Sequence, residues 1–236
     1  MLTVDLDKLN IQDGSTVLDL GCGKGRHLHR LYYYRKCHVV GLDLSLNELK
    51  TTYQGFEKYP DLNEKEERRF DLMAGNALNL PFKDEIFDNL ICSEVLEHIP
   101  DYDAAIKEIH RITKPGAKIG ISVPRWLPEK LCWYLSDEYH NEPGGHVRIF
   151  KYKALKNTFI RNGFKYCGKE HKHGLHSPYW WLKCFVGTKN EKNYFVNTYR
   201  KFLEWDILKR PLLTRFLEKI FDPLIGKSLV IYLEKK

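Results

Sequence analysis

The sequence predicts an open α/β sheet whose first strand ends in a ligand-binding turn, and three observations predict it. The run Val17-Leu18-Asp19-Leu20-Gly21-Cys22-Gly23-Lys24-Gly25-Arg26-His27 joins an apolar strand to a glycine turn and a helix start, the usual mouth of such a sheet. Short apolar runs alternate with amphipathic stretches from there to Val123, the order of strand–helix repeats. The 236-residue length and 43% hydrophobic content suit one well-buried α/β domain with an embellishment and are too small for two catalytic domains.

Each element follows from local signals. Asp13-Gly14-Ser15 reads as a turn ahead of the first strand, leaving room before it for no more than a short helix. A helix over 26–36 follows the glycines, and its Tyr32-Tyr33-Tyr34 run is assigned to packing. The second strand ends at Asp43, and Ser45 caps a helix over 46–58. Residues 60–69 are charged and read as an exposed loop before a strand over 70–74. Pro81 to Glu85 is a turn, 87–92 a fourth strand, and 103–113 a helix that stops before Pro115-Gly116. A fifth strand covers 117–123. From Pro124 the pattern changes, with two histidines, aromatics and Gly144-Gly145 in 124–150 and a short helix over 128–136. An amphipathic helix over 151–162 ends at Gly163, a sixth strand covers 164–171, and Ser228–Leu233 is the seventh.

Two ligands compete for the glycine turn. Gly21, Gly23 and Gly25 let the backbone approach a ligand closely because no Cβ intervenes, and N–H groups at the helix start face it. The dinucleotide fingerprint needs Gly-x-Gly-x-x-Gly; here the third glycine comes one residue early and position 26 is Arg. Asp19 would repel a diphosphate and attract the ammonium and sulfonium of S-adenosylmethionine, a difference of several kcal/mol at about 4 Å.

With these residues the chain resembles the class I S-adenosylmethionine-dependent methyltransferases that have a Methyltransf_11-like core. The resemblance runs from about Ser15 to Pro124 and returns near Ser228. Asp19–Gly25 is similar to the family's first motif. Val39-Val40-Gly41-Leu42-Asp43 resembles its second strand, whose terminal acid takes the ribose hydroxyls. Gly75–Phe82 resembles the segment bordering adenine, while Phe87–His98 and Arg111–Gly116 resemble the fourth strand and the approach to the fifth. The resemblance implies a Rossmann-like, seven-stranded, mostly parallel sheet with a reversed last strand. It implies S-adenosyl-L-methionine as cofactor, with S-adenosyl-L-homocysteine as product. The expected cofactor residues are Asp19, Gly21, Cys22, Gly23, Gly25, Arg26, Asp43, Leu44, Asn76, Ala77 and Ser93. Asn76 stands where many relatives carry Asp.

The family joins its last two strands by a short turn. Here residues 173–227 intervene and are read as a helical insertion, leaving 1–172 and 228–236 as the core. The insertion opens with Tyr179-Trp180-Trp181 and continues into two helix patterns. In the second, Leu212, Leu213, Phe216, Leu217, Ile220 and Phe221 fall on one stripe, Arg215, Glu218 and Lys219 face away, and Pro211 and Pro223 bracket it. With so little chain ahead of Val17, any cover for the active site is expected from 124–150 and from this insertion.

Methyl transfer is an in-line displacement, so positioning dominates, and a base is needed only where the acceptor must lose a proton. Glu94 is a candidate to steer the methionine end or the substrate, or else it caps backbone N–H groups. His146 and His140 are candidate bases above the strand ends, and Arg148 is a candidate anion clamp. His98 is read as structural. His171, His173 and His176 are loosely spaced without a carboxylate in register, so no metal is expected.

Charge is uneven. Residues 1–123 hold 16 Lys+Arg against 20 Asp+Glu, whereas 124–236 hold 22 against 11. A basic half away from the cofactor motifs points to an acidic partner or to a solvated lysine-rich surface. Cys22, Cys37, Cys92, Cys132, Cys167 and Cys184 form no Cys-x-x-Cys pair, which excludes a zinc ribbon and a disulfide framework. No secretory signal and no membrane-spanning run is seen, so a cytoplasmic setting is expected. The expected substrate is a hydrophobic or amphipathic, lipid-like small molecule methylated on oxygen or carbon, with Trp180 and Trp181 as a peripheral membrane contact. An RNA substrate held by the basic half is the alternative.

Overall fold

The structure is a computed structural model that describes residues 2–58, 69–190 and 192–236. The charged loop expected over 60–69 lies outside these residues except for Arg69, which opens a strand. Seven strands form one sheet: β1 (Thr16–Leu20), β2 (His38–Asp43), β3 (Arg69–Ala74), β4 (Phe87–Ser93), β5 (Thr113–Pro124), β6 (Phe164–Lys172) and β7 (Ser228–Lys235). Their order is β3-β2-β1-β4-β5-β7-β6. The first five run parallel, and β7 is antiparallel to both β5 and β6.

Parallel strands need both faces covered, and the period-two alternation of side chains supplies two cores. On one face Leu18, Leu90, Ile119 and Ile121 pack with α3 (Tyr102–Ile112) and α6 (Tyr152–Arg161) through Ile106, Ile109, Leu155 and Phe159. On the other, Val17, Val39, Ile91 and Val230 pack with Leu28, Leu31 and Tyr32 of α1 (Arg26–Tyr34). Val4, Leu6 and Leu9 complete this second core, so the N-terminal stretch covers a sheet face, while Thr3 reaches His173 just beyond the end of β6 at 3.0 Å. Within this stretch Leu6–Leu9 forms a short 3-10 helix. A side chain such as Phe159, fully buried, contributes roughly 1.5–3 kcal/mol. As expected, Ser45 caps α2 (Leu46–Glu57) by accepting from Glu48 N. β5 begins four residues earlier than the sequence suggests, because Thr113 already pairs with Phe87 and Lys114 reaches Asp88 at 2.6 Å.

After β5 come α4 (Trp126–Leu135) and the single-turn α5 (Asp137–His140). Among the described residues the insertion holds three helices, α7 (His176–Val186), α8 (Tyr194–Lys209) and α9 (Leu212–Ile225), one more than the two patterns expected. Pro178 falls in the first turn of α7, where its missing N–H costs nothing. Pro223 sits inside α9 and does not bracket it. The two ends of the insertion are tied together at Gly174, whose N–H donates to Asp222 Oδ1 at 2.7 Å. Its backbone comes so close to α9 that a Cβ would stand 2.6 Å from Phe221 C.

Two expectations about the insertion are overturned. The stripe on α9 is turned outward: Leu212 is 89% exposed, and Leu213, Phe216 and Ile220 are also exposed, whereas Thr214 and Glu218 are buried. The cause is Arg215, which reaches both carboxylate oxygens of buried Asp206 and, at 2.6 Å, Glu218. That buried ion pair fixes which face of α9 looks inward. Trp180 and Trp181 do not project as a wedge. Trp181 Nε1 donates to Pro128 O at 3.1 Å, and Trp180 lies beneath the ammonium groups of Lys183 and Lys227. Among the described residues no helix is long and apolar enough to cross a membrane.

Candidate active site

The carboxyl ends of β1, β2 and β4 open on a cavity of about 340 Å³ lined by Gly21, Gly23, Asp43, Leu44, Asn76, Ala77 and Glu94 among others. Gly23 has φ 51°, and a Cβ there would meet no protein atom within 4 Å, so the bare backbone is presented to a ligand. Gly21 has φ 71°, and a Cβ there would lie 2.3 Å from Val95 Cγ2, so this turn accepts only glycine. Asp43 accepts from Gly23 N and Ser45 N, each at 2.8 Å, which fixes its carboxylate at the cavity wall. Leu44 stands exposed at the lip. Asn76 Oδ1 already accepts from Leu78 N at 3.0 Å, so one lone pair and the amide N–H groups remain for a ligand.

The other expected cofactor residues lie behind this wall. Asp19 is buried beneath the turn, one carboxylate oxygen without a partner, and burial raises its pKa to about 7 against the lowering pull of Arg26. Cys22 is buried and turned inward, its Sγ 3.1 Å from where a Gly41 Cβ would stand. Gly25 precedes α1, and Arg26 runs from there to Ser93 Oγ at 3.3 Å. Ser93 continues to Ser122 Oγ at 2.8 Å, and Ser122 donates to Glu94 Oε1 at 2.9 Å. Arg26 also lines a separate cavity of about 670 Å³ with Arg30, Arg210 and Arg215, where the positive charge of the insertion meets that of α1. Leu20, Leu42, Gly75, Val95, His98 and Ile99 complete the first cavity; no polar motif marks them in the sequence except His98.

A second cavity, of about 290 Å³, lies between the 124–150 segment and α7 and is lined by Tyr139, His146, Trp180 and Lys183. His98 joins the two cavities, because it lines the first and its ring meets His146 edge to face at 4.9 Å. His146 Nδ1 lies 2.6 Å from Oε1 of buried Glu129 in α4. Burial raises the Glu129 carboxyl, but the hydrogen bond to His146 and the charge of Lys227 together hold it below its usual range. Glu129 was invisible to sequence reading because it sits in a short helix with nothing to mark it as buried. Glu97 is wholly buried with neither oxygen hydrogen-bonded, and burial pushes its carboxyl well up.

Three expected roles are corrected. His140 is exposed and stacks on Trp133 at 4.0 Å, away from both cavities. Arg148 is no anion clamp: its guanidinium donates to the carbonyls of Ile99 and Pro100 and packs over Tyr102. His98 is more than a structural histidine, given its place in the cavity wall. Of the three C-terminal histidines, His173 and His176 are joined by Glu218, a carboxylate that sequence spacing did not bring near.

The strand order, the reversed strand and the glycine turn over a cavity define the class I S-adenosylmethionine-dependent methyltransferase fold. The chain belongs to the methyltransferase family whose shared region, described as a methyltransferase domain, matches residues 11–173. It is 36% identical over 116 residues to a demethylmenaquinone methyltransferase of Staphylococcus epidermidis, covering 48% of this chain and 45% of that protein. It is 28% identical over 142 residues to the sterol 24-C-methyltransferase erg6 of Aspergillus fumigatus, covering 60% and 34%. The chain thus matches less than half the length of either relative. A methyltransferase from Methanosarcina mazei shares the fold with a TM-score of 0.65 at 17% identity, covering all of this chain and 99% of that one. Geranyl diphosphate C-methyltransferase from Streptomyces coelicolor does so with a TM-score of 0.65 at 16% identity, covering 98% and 78%.

Proposed function

We propose that this chain transfers a methyl group from S-adenosylmethionine to an oxygen or carbon of a hydrophobic or amphipathic small molecule. One observation carries the reading: the glycine-turn cavity and the aromatic cavity meet at His98 and His146. The first cavity fits the cofactor, since Asp43 offers a fixed carboxylate, Asn76 an amide, and Gly23 an open backbone. Bound there, S-adenosylmethionine would supply an electrophilic methyl group on sulfur. The second cavity sets the rings of Tyr139 and Trp180 beside the polar side chains of Glu142, His146, Lys183, Thr188 and Lys189, a mixed lining that suits an amphipathic small molecule. His146, oriented by Glu129, and Glu94 face the junction where the acceptor atom must lie.

Relatives named for menaquinone and sterol substrates support a lipid-like acceptor. So does the outward apolar row of Leu208, Leu212, Leu213 and Phe216 beside the arginine-lined cavity, which suits an interfacial surface better than Trp180 and Trp181 do. The test is to incubate the protein with labelled cofactor and either an extracted lipid–quinone fraction or total RNA. Label in the organic phase, reduced at least tenfold by Trp180→Ala, is the expected result. Label in RNA alone would replace the reading with the RNA alternative. Leu213→Glu with Phe216→Glu is expected to release the protein from anionic liposomes even in high salt, where charge contacts are screened.

A further inference from the structure

Glu97, His98 and His146 form a group whose geometry serves no hydrogen bonding of its own. Glu97 is fully buried, and both its carboxylate oxygens lack hydrogen-bond partners. Leaving a buried carboxylate unpaired is costly, so the site implies a partner for it. His98 Nδ1 lies 3.0 Å from Gly144 O and 3.1 Å from Gly145 O, and both are pure acceptors. His146 Nδ1 faces a carboxylate, Glu129 Oε1, at 2.6 Å. Each ring therefore carries its proton on Nδ1 and a bare lone pair on Nε2 when neutral. His98 Nε2 is 4.0 Å from Glu97 Oε1, and ligand atoms of the three side chains lie within 4.8 Å of one another.

We propose that Glu97, His98 and His146 hold a divalent first-row cation such as zinc at the junction of the two cavities. Two imidazoles and one carboxylate are a ligand set that leaves coordination positions open. Metal-bound histidines commonly donate their second N–H to a carboxylate or a backbone carbonyl, and both histidines do so here. Bonds of about 2.0–2.2 Å place tetrahedral donors about 3.4 Å apart, so ligand atoms now within 4.8 Å of one another need close in by at most about 0.8 Å each. His98 has the freedom for this, its side chain being 39% exposed. The cation site stands on the three side chains alone. Its use, binding the acceptor oxygen at an open position, rests on the methyl-transfer reading and gives His146 a ligand role in place of that of a base.

The test uses the full chain, stripped with chelator and titrated with zinc by calorimetry, with bound metal measured by elemental analysis. The unaltered protein is expected to bind one more equivalent than the His98→Ala/His146→Ala variant, and Glu129→Gln to bind that equivalent roughly 10–100-fold more weakly. The difference should persist in a Glu218→Gln background, which separates it from the His173–His176–Glu218 group. An unchanged unfolding midpoint and circular dichroism spectrum in every variant should report an intact fold, and S-adenosylhomocysteine binding by the Glu129→Gln variant, which leaves the cofactor cavity wall untouched, keeps the cofactor reading separate. Equal metal uptake by the two proteins, or none by either, would overturn the site. Label transfer that persists after stripping but follows the protonation of His146 would return that residue to the role of base.

Discussion

Asp19→Asn is the substitution whose effect the structure dictates most directly. The Asp19 carboxyl is 1% exposed, one oxygen has no partner, and burial lifts its pKa from 3.8 to about 7. The folded state thus holds this proton more tightly than the unfolded chain. The stabilisation is complete below about pH 4, is lost as pH rises through 7, and stays lost above. At about 1.36 kcal/mol per pH unit, the interval amounts to about 4 kcal/mol as an upper figure. An asparagine cannot ionise, and its amide nitrogen inherits the same unpartnered position at a cost of about 1–3 kcal/mol. Urea unfolding of both proteins from pH 4.5 to 8 should therefore show the variant gaining on the parent by a few kcal/mol as pH rises. S-adenosylhomocysteine, which keeps the ammonium that an anionic Asp19 attracts, should stabilise the parent more than the variant at pH 7.5. Parallel pH profiles for the two proteins would refute the argument.

Asp43→Ala removes the acceptor of two backbone N–H groups at 2.8 Å, each such charge-assisted bond contributing about 1.5–3 kcal/mol. Calorimetry is expected to show S-adenosylhomocysteine bound at least tenfold more weakly, and no NAD binding by either protein. Replacing 174–226 with a short turn should leave the sheet intact, because Lys172 and Ser228 are already paired across β6 and β7. That variant should keep cofactor binding by calorimetry while losing label transfer, since Trp180 leaves the acceptor cavity with it.

The sheet was legible because its central strands carry apolar runs closed by glycine, proline or a capping residue, while β3 and β6 at its edges alternate polar with apolar residues, and local signals of that kind need no tertiary information. The cofactor wall was legible for the same reason at Gly21, Gly23 and Asp43. The reading failed where orientation depends on a distant charge. An amphipathic stripe says that two faces of α9 differ, but only the Asp206–Arg215–Glu218 contacts decide which face turns inward. Arg148 and Arg26 looked like ligand-binding cations, yet their nearest acceptors are Ile99 O, Pro100 O and Ser93 Oγ. Glu97 and Glu129 carry no mark of burial in their neighbourhoods, so the grouping around His146 emerged only when three segments met.

The place of β7 between β5 and β6 sets an order of events during synthesis. Five parallel strands with their helices have left the ribosome before β6 appears, yet among the described residues β6 pairs with β7 alone. It must wait until 173–227 has been translated, several seconds at about 5–20 residues per second. During that interval β5 presents a bare edge, a hazard for association with other chains. The helices of the insertion emerge within the same window, beside the segment they will later join to the sheet. A silent change in codon speed within 173–227 would lengthen or shorten that exposure without altering a single contact of the finished protein.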